Sequence, residues 1–151
     1  MDADLRSIMD LLLKTKELDR LAEVVRRTKD DDLEDLSHYA TEPVARKLEK
    51  PHPDLAARLW RAQGLRIVNA NKSRYYDAAL SNFERAKRCF ERSGLESEWI
   101  KTVRQVRAAH HRKSSFMPGF ERLVEGMGPN NEPSFLDRAK ARWRAKERSA
   151  R

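Results

Sequence analysis

The sequence predicts an all-α protein, and three observations carry that prediction. Apolar residues recur three and four positions apart through most of the chain. Almost no stretch alternates apolar with polar side chains as a half-buried strand does. The five glycines and six prolines fall mostly between the periodic segments. Hydrophobic residues make up 39 % of the chain against 37 % charged, and their phasing excludes a disordered polyelectrolyte. A chain of 151 residues suits one domain, burying about two-thirds of its unfolded surface.

Taken in order, Leu5, Ile8, Met9 and Leu12 share helical spacing, and Leu18, Leu21, Ala22 and Val25 repeat it after the polar break at Lys14–Glu17. Two short helices or one kinked helix fit. Asp30, Asp31 and Asp32 suit a helix N-terminus, where carboxylates complement the dipole, and Leu33, Leu36 and Tyr39 or Ala40 line the helix that follows. Thr41-Glu42-Pro43 reads as a stop and restart, with Val44, Ala45 and Leu48 on the buried side. Pro51-His52-Pro53 is a boundary, and Pro53 opens the next helix.

Leu55, Leu59 and Ala62 form one stripe of that helix, with Ala56, Trp60, Gly64 and Ile67 or Val68 beside it. So wide a face predicts contact with two neighbours. Gly64 costs about 1 kcal/mol relative to alanine in a helix, which the close approach of another backbone would justify. After the polar loop Asn69–Ser73, with Ser73 as N-cap, a helix carries Tyr76, Ala79, Leu80, Phe83, Ala86, Lys87 and Phe90. Gly94 sits where a left-handed residue ends it, and Leu95 packs back on Phe90. Trp99, Val103, Val106 and His110 stripe the next helix. Phe116-Met117-Pro118 begins a shorter one, ending at Gly126.

Residues 127–133 read as a linker and 134–151 as a basic C-terminal helix, leaving 1–126 as a helical-repeat domain. Short breaks between successive helices imply antiparallel neighbours, and so an irregular α-solenoid of stacked helical hairpins.

The order Trp60-x-x-Gln63-Gly64, then Tyr76-x-x-Ala79-x-x-x-Phe83-x-x-Ala86, resembles a tetratricopeptide (TPR) unit. Its inter-helix loop is longer by about three residues than the ~34-residue repeat allows. The solenoid is therefore TPR-like in the middle. The wider text, including LLLKTKELDRL, LSHYATEPVARKLEK and HHRKSSFMPGFERLV, resembles the C-terminal helical region of large bacterial proteins, some with an N-terminal SWIM-type zinc finger. That resemblance, from about Leu11 to Trp143, implies a helical-repeat region without an established activity, either freestanding or the remnant of a longer gene. The finger's Cys-x-Cys…Cys-x-His ligands have no counterpart here, since Cys89 is the one cysteine.

Catalytic equipment is not visible. Cys89 lies between core-facing positions, where a small buried thiol is the common case, and one cysteine forbids an internal disulfide or a multi-cysteine zinc site. His110 and His111 are adjacent on a helix and point apart, so they do not share an ion. His38 and His52 stand alone near helix boundaries. Ser114-Ser115 lacks a nucleophile elbow, the Asp30–Asp32 run lacks EF-hand spacing, and no glycine-rich phosphate loop exists. The expectation is a protein without enzymatic activity, metal or cofactor. No apolar run approaches the ~18 residues of a membrane span, and no signal sequence opens the chain, so the expected location is the cytoplasm.

Charge is uneven. Residues 1–50 carry a net of −3, residues 51–100 a net of +3 and residues 101–151 a net of +8. Such a gradient steers anionic partners or drives head-to-tail self-association. Two binding surfaces are expected. The TPR resemblance implies that a protein or peptide partner would meet Asn71, Lys72, Arg74, Asn82 and Arg85. A nucleic acid would instead meet the C-terminal segment, where Arg138, Lys140, Arg142, Arg144, Lys146 and Arg148 surround one apolar seam. In the stretch 66–90, Tyr76, Phe83 and Phe90 fall on the core side by their spacing, and Tyr75 is the ring that the core does not claim.

Overall fold

A computed structural model describes residues 2–126. These form eight α-helices. They are α1 (Asp2–Lys14), α2 (Leu18–Arg27), α3 (Asp30–Glu34), α4 (His38–Leu48), α5 (Pro53–Asn69), α6 (Tyr76–Arg92), α7 (Glu96–His110) and α8 (Met117–Glu125). A 3-10 turn, Ser73–Tyr75, precedes α6. The all-α class holds, and no strand occurs among the described residues. The linker at 127–133 and the helix expected at 134–151 lie outside them.

Cross-helix pairs fix the directions. Gly64 meets Phe83 and Trp60 meets Arg85, so α5 and α6 run antiparallel. Thr41–Gln63 and Arg46–Trp60 make α4 antiparallel to α5. Arg61–Glu98 and Asn69–His110 set α7 parallel to α5, and Tyr76–Phe116 and Phe83–Phe120 set α8 parallel to α6. Helix α5 is therefore central. Eleven of its residues are buried, and its small residues Ala56, Ala57, Ala62 and Gly64 let neighbours approach on several sides.

The core is aromatic where α6, α7 and α8 meet. Phe83, Phe116, Phe120 and Trp99 are all fully buried, and Phe83 stands edge-on to Phe120 at 5.4 Å, a favourable arrangement for aromatic quadrupoles. The partner of Gly64 differs from the expectation. A Cβ there would lie 2.9 Å from Phe83 Cε2 and Cζ, so the glycine makes room for a ring and not for a backbone. At Gly119 the corresponding contact is 2.6 Å from Leu80 Cδ1, the free end of a half-buried side chain. Opposite outcomes follow. Gly119→Ala should gain up to about 1 kcal/mol of helix propensity, because Leu80 can rotate away. Gly64→Ala should lose about 1–2 kcal/mol net, because Phe83 is hemmed in on every side. Urea unfolding of the two variants checks the signs.

Several local expectations are met. Lys16 takes a positive φ in the break between α1 and α2. Pro53 stands in the first turn of α5. The end of α6 is a Schellman motif, with Gly94 at φ +70, Leu95 N–H donating to Phe90 O at 2.8 Å and Gly94 N–H to Glu91 O at 3.1 Å.

Others are corrected. Helix α4 does not stop at Thr41–Pro43 but runs through Pro43. Its true start is Ser37, whose Oγ accepts the Tyr39 N–H at 3.2 Å, and burial of Thr41, Val44, Ala45 and Leu48 outweighs the bond that proline removes. Because the chain breaks between α3 and α4, the helical phase resets. Tyr39 is then 74 % exposed instead of lining the core. Ser73 does not cap α6 either, since it opens the 3-10 turn and Tyr75 occupies the cap position.

Candidate functional site

A groove of about 490 Å³ crosses the face made by α4, α5 and α6. His38 and Glu42 of α4 form one wall, and Ala78, Ser81 and Asn82 of α6 form the other. Gln63, Arg66 and Ile67 of α5, with Ala70 just past its end, make the floor, and Lys72 and Tyr75 close one end. Antiparallel packing on both sides of α5 produces this shape, because the two outer helices stand proud of the central one.

A polar thread crosses the floor. Thr41 Oγ1 donates to Gln63 Oε1 at 2.6 Å, and Gln63 Nε2 donates to Asn82 Oδ1 at 3.1 Å. Thr41 and Gln63 are buried, so their hydrogen bonds offset desolvation. The thread also orients Asn82. With its carbonyl oxygen turned to Gln63, its amide N–H groups point the other way, as donors for a ligand.

Beyond Asn82, α6 presents Arg85 one turn further on. Its guanidinium lies 4.6 Å from the centre of the Trp60 ring, and Arg46 approaches the same ring at 5.7 Å. Arg85 also pairs with Glu49 at 3.6 Å, and Arg46 with Glu42 at 3.6 Å. Arg66 donates to the carbonyls of Glu34 at 3.1 Å and Asp35 at 2.7 Å, covering the C-terminal end of α3 with a cation. Lys72 makes no ion pair among the described residues. Among the residues that line the groove, the cations Arg66 and Lys72 stand against the single carboxylate Glu42, giving it a net positive rim.

Of the five residues expected to meet a peptide, the structure brings Lys72 and Asn82 into the groove. Arg85 continues the same face. Arg74 turns its guanidinium onto the Tyr75 ring, 4.8 Å from its centre. Asn71 is used internally, its Oδ1 accepting from Lys113 Nζ. The six cations from Arg138 to Arg148 lie outside the described residues. Thr41, Gln63 and Ile67 were not expected at a binding site from the sequence. Only Gln63 carried a signal, as a buried polar side chain inside an apolar stripe.

The other reactive groups are spoken for. Cys89 is buried, and burial, helped by Glu49, pushes its thiol up to about 11, leaving it protonated and unreactive at neutral pH. Asn69 Nδ2 donates to Glu34 Oε1 at 2.5 Å. That bond turns Asn69 Oδ1 towards His110 Nε2 at 2.8 Å and places the imidazole proton on Nε2. Burial and then the charge of Lys113 lower the pKa of His110. Among the described residues no cluster of three or more His, Cys, Asp and Glu side chains could hold a metal ion. No helix among them is long and apolar enough to cross a membrane. No protein-family model, curated protein or solved structure matches this chain.

Proposed function

We propose that this chain is a non-enzymatic, TPR-like α-solenoid module whose work is protein–protein contact, and that an extended acidic peptide occupies the α4–α6 groove. The observation that carries this reading is the Thr41–Gln63–Asn82 thread, which holds a pair of amide donors at the wall of an open, partly apolar trough. An extended peptide offers backbone carbonyls to such donors and side chains to the apolar surface. The positive rim selects for acidic residues, with Lys72 as a natural partner. The groove also lies within the ~300–1,000 Å³ range of ligand sites. The Trp60 to Ala86 order and the stacking of the α7–α8 pair on α5–α6 support a repeat architecture.

The test is an array of acidic peptides followed by titration of those that bind. Ser81 is exposed within the groove, so Ser81→Trp fills it without touching the core. Affinity should fall by at least about tenfold, while the melting temperature stays within about 2 °C. An array in which no bound peptide is weakened by Ser81→Trp would count against the reading.

A further inference from the structure

The loop between α5 and α6 and the loop between α7 and α8 meet at one end of the bundle. Lys113 Nζ is bonded to Asn71 Oδ1, His110 to Asn69 at 2.8 Å, and the Phe116 ring lies 5.4 Å from that of Tyr76. These ties bring two short basic segments together. Residues 70–77 and 111–118 contain Lys72, Arg74, Arg112 and Lys113 against a single acid, Asp77. Lys72, Arg74 and Arg112 are exposed. In the first of these segments Tyr75 is 45 % exposed, with the Arg74 guanidinium over its ring.

We propose that this end of the bundle binds single-stranded nucleic acid, at a site that shares Lys72 and Tyr75 with the end of the groove. Phosphates would sit against Lys72, Arg74 and Arg112, and an unstacked base would lie on the Tyr75–Arg74 platform. The chemistry favours a single strand over other polyanions. An outward aromatic ring flanked by cations matches a ligand that alternates phosphate with a flat base, whereas a duplex hides those base faces. An acidic peptide would use the cations and leave the ring idle. Neither loop supplies a helix to enter a major groove, so shape gives no reason to expect duplex recognition.

The experiment is a titration of a labelled uridine oligonucleotide about twelve nucleotides long with the full chain, at several salt concentrations. Binding should weaken with salt. In Arg74→Gln/Arg112→Gln the slope of log K against log salt should shrink by about 0.7 for each lost contact. Tyr75→Leu should lower affinity by roughly tenfold with the slope unchanged. Both effects should persist in the full chain carrying glutamine at Arg138, Lys140, Arg142, Arg144, Lys146 and Arg148, which removes any contribution from those cations. Arg112 is not among the residues that line the groove, so Arg112→Gln alone should weaken the oligonucleotide and leave peptide affinity unchanged, and failure of this surface and failure of the groove read out separately. Three results would overturn the proposal. These are no binding at low salt, equal binding of wild type and Tyr75→Leu, or a slope indifferent to the loop arginines.

Discussion

Replacing Phe83 with alanine is expected to destabilise the protein by about 3–5 kcal/mol. The ring is fully buried, with Phe120 at 5.4 Å and Phe116 at 6.2 Å. Across the helix interface it faces Gly64, which has no side chain to move into the space left behind. The cavity therefore cannot collapse, which puts the cost at the upper end for a phenylalanine truncation. Denaturant unfolding followed by far-UV circular dichroism measures it. Since a domain has about 5–15 kcal/mol in hand, outright loss of helicity fits the account as well. A loss under about 1 kcal/mol would mean that Phe83 does not join α6 to α5 and α8 as described.

A comparable loss is expected from Asp30→Asn combined with Glu98→Gln, and its source is electrostatic. Arg61 is 7 % exposed. Its guanidinium donates to Asp30 at 3.1 Å, Glu98 at 3.1 Å and Thr102 Oγ1 at 3.3 Å, and its cation lies 5.1 Å from the centre of the Phe90 ring. Burial raises the pKa of Asp30, but its bonds and attraction to Arg58 and Arg61 outweigh that and hold it below its ordinary value. Either single substitution leaves Arg61 one carboxylate and should cost only about 1 kcal/mol. Removing both strands a buried cation, for which about 3–5 kcal/mol is typical. The double variant should thus exceed the sum of the singles, and a thermodynamic cycle from three unfolding curves reads the excess. Simple additivity would show that solvent already supports the guanidinium.

Much of the fold was legible because its signals are local. The polar break at Lys14–Glu17, Pro53 at a helix start and Gly94 at a helix end each act within one turn of chain. So does the spacing that buries Tyr76, Phe83 and Phe90. Where the reading slipped, a weak local rule met a tertiary force. Pro43 ordinarily ends a helix, yet the buried side of α4 carries the helix past it. The missed cap at Ser37 shifted the phase, and that shift assigned Tyr39 to the core.

The site was less legible, for a physical reason. Thr41, Gln63 and Asn82 are 41 positions apart end to end and become one hydrogen-bonded thread only when three helices pack. Asn82 and Lys72 were accessible to sequence reasoning because the TPR resemblance points to polar side chains in and after the α5–α6 turn. Asn71 and Arg74 obeyed the same logic but are engaged by Lys113 and Tyr75, which no spacing rule anticipates.

The α4–α6 trough is proposed as the working surface of the protein. The most direct measurement is a backbone amide NMR titration of the full chain with the tightest acidic peptide from the array. The largest shifts are expected at Gln63, Ile67, Ala78, Ser81 and Asn82. Shifts confined to α7, α8 or residues 134–151, with those five unmoved, would contradict it.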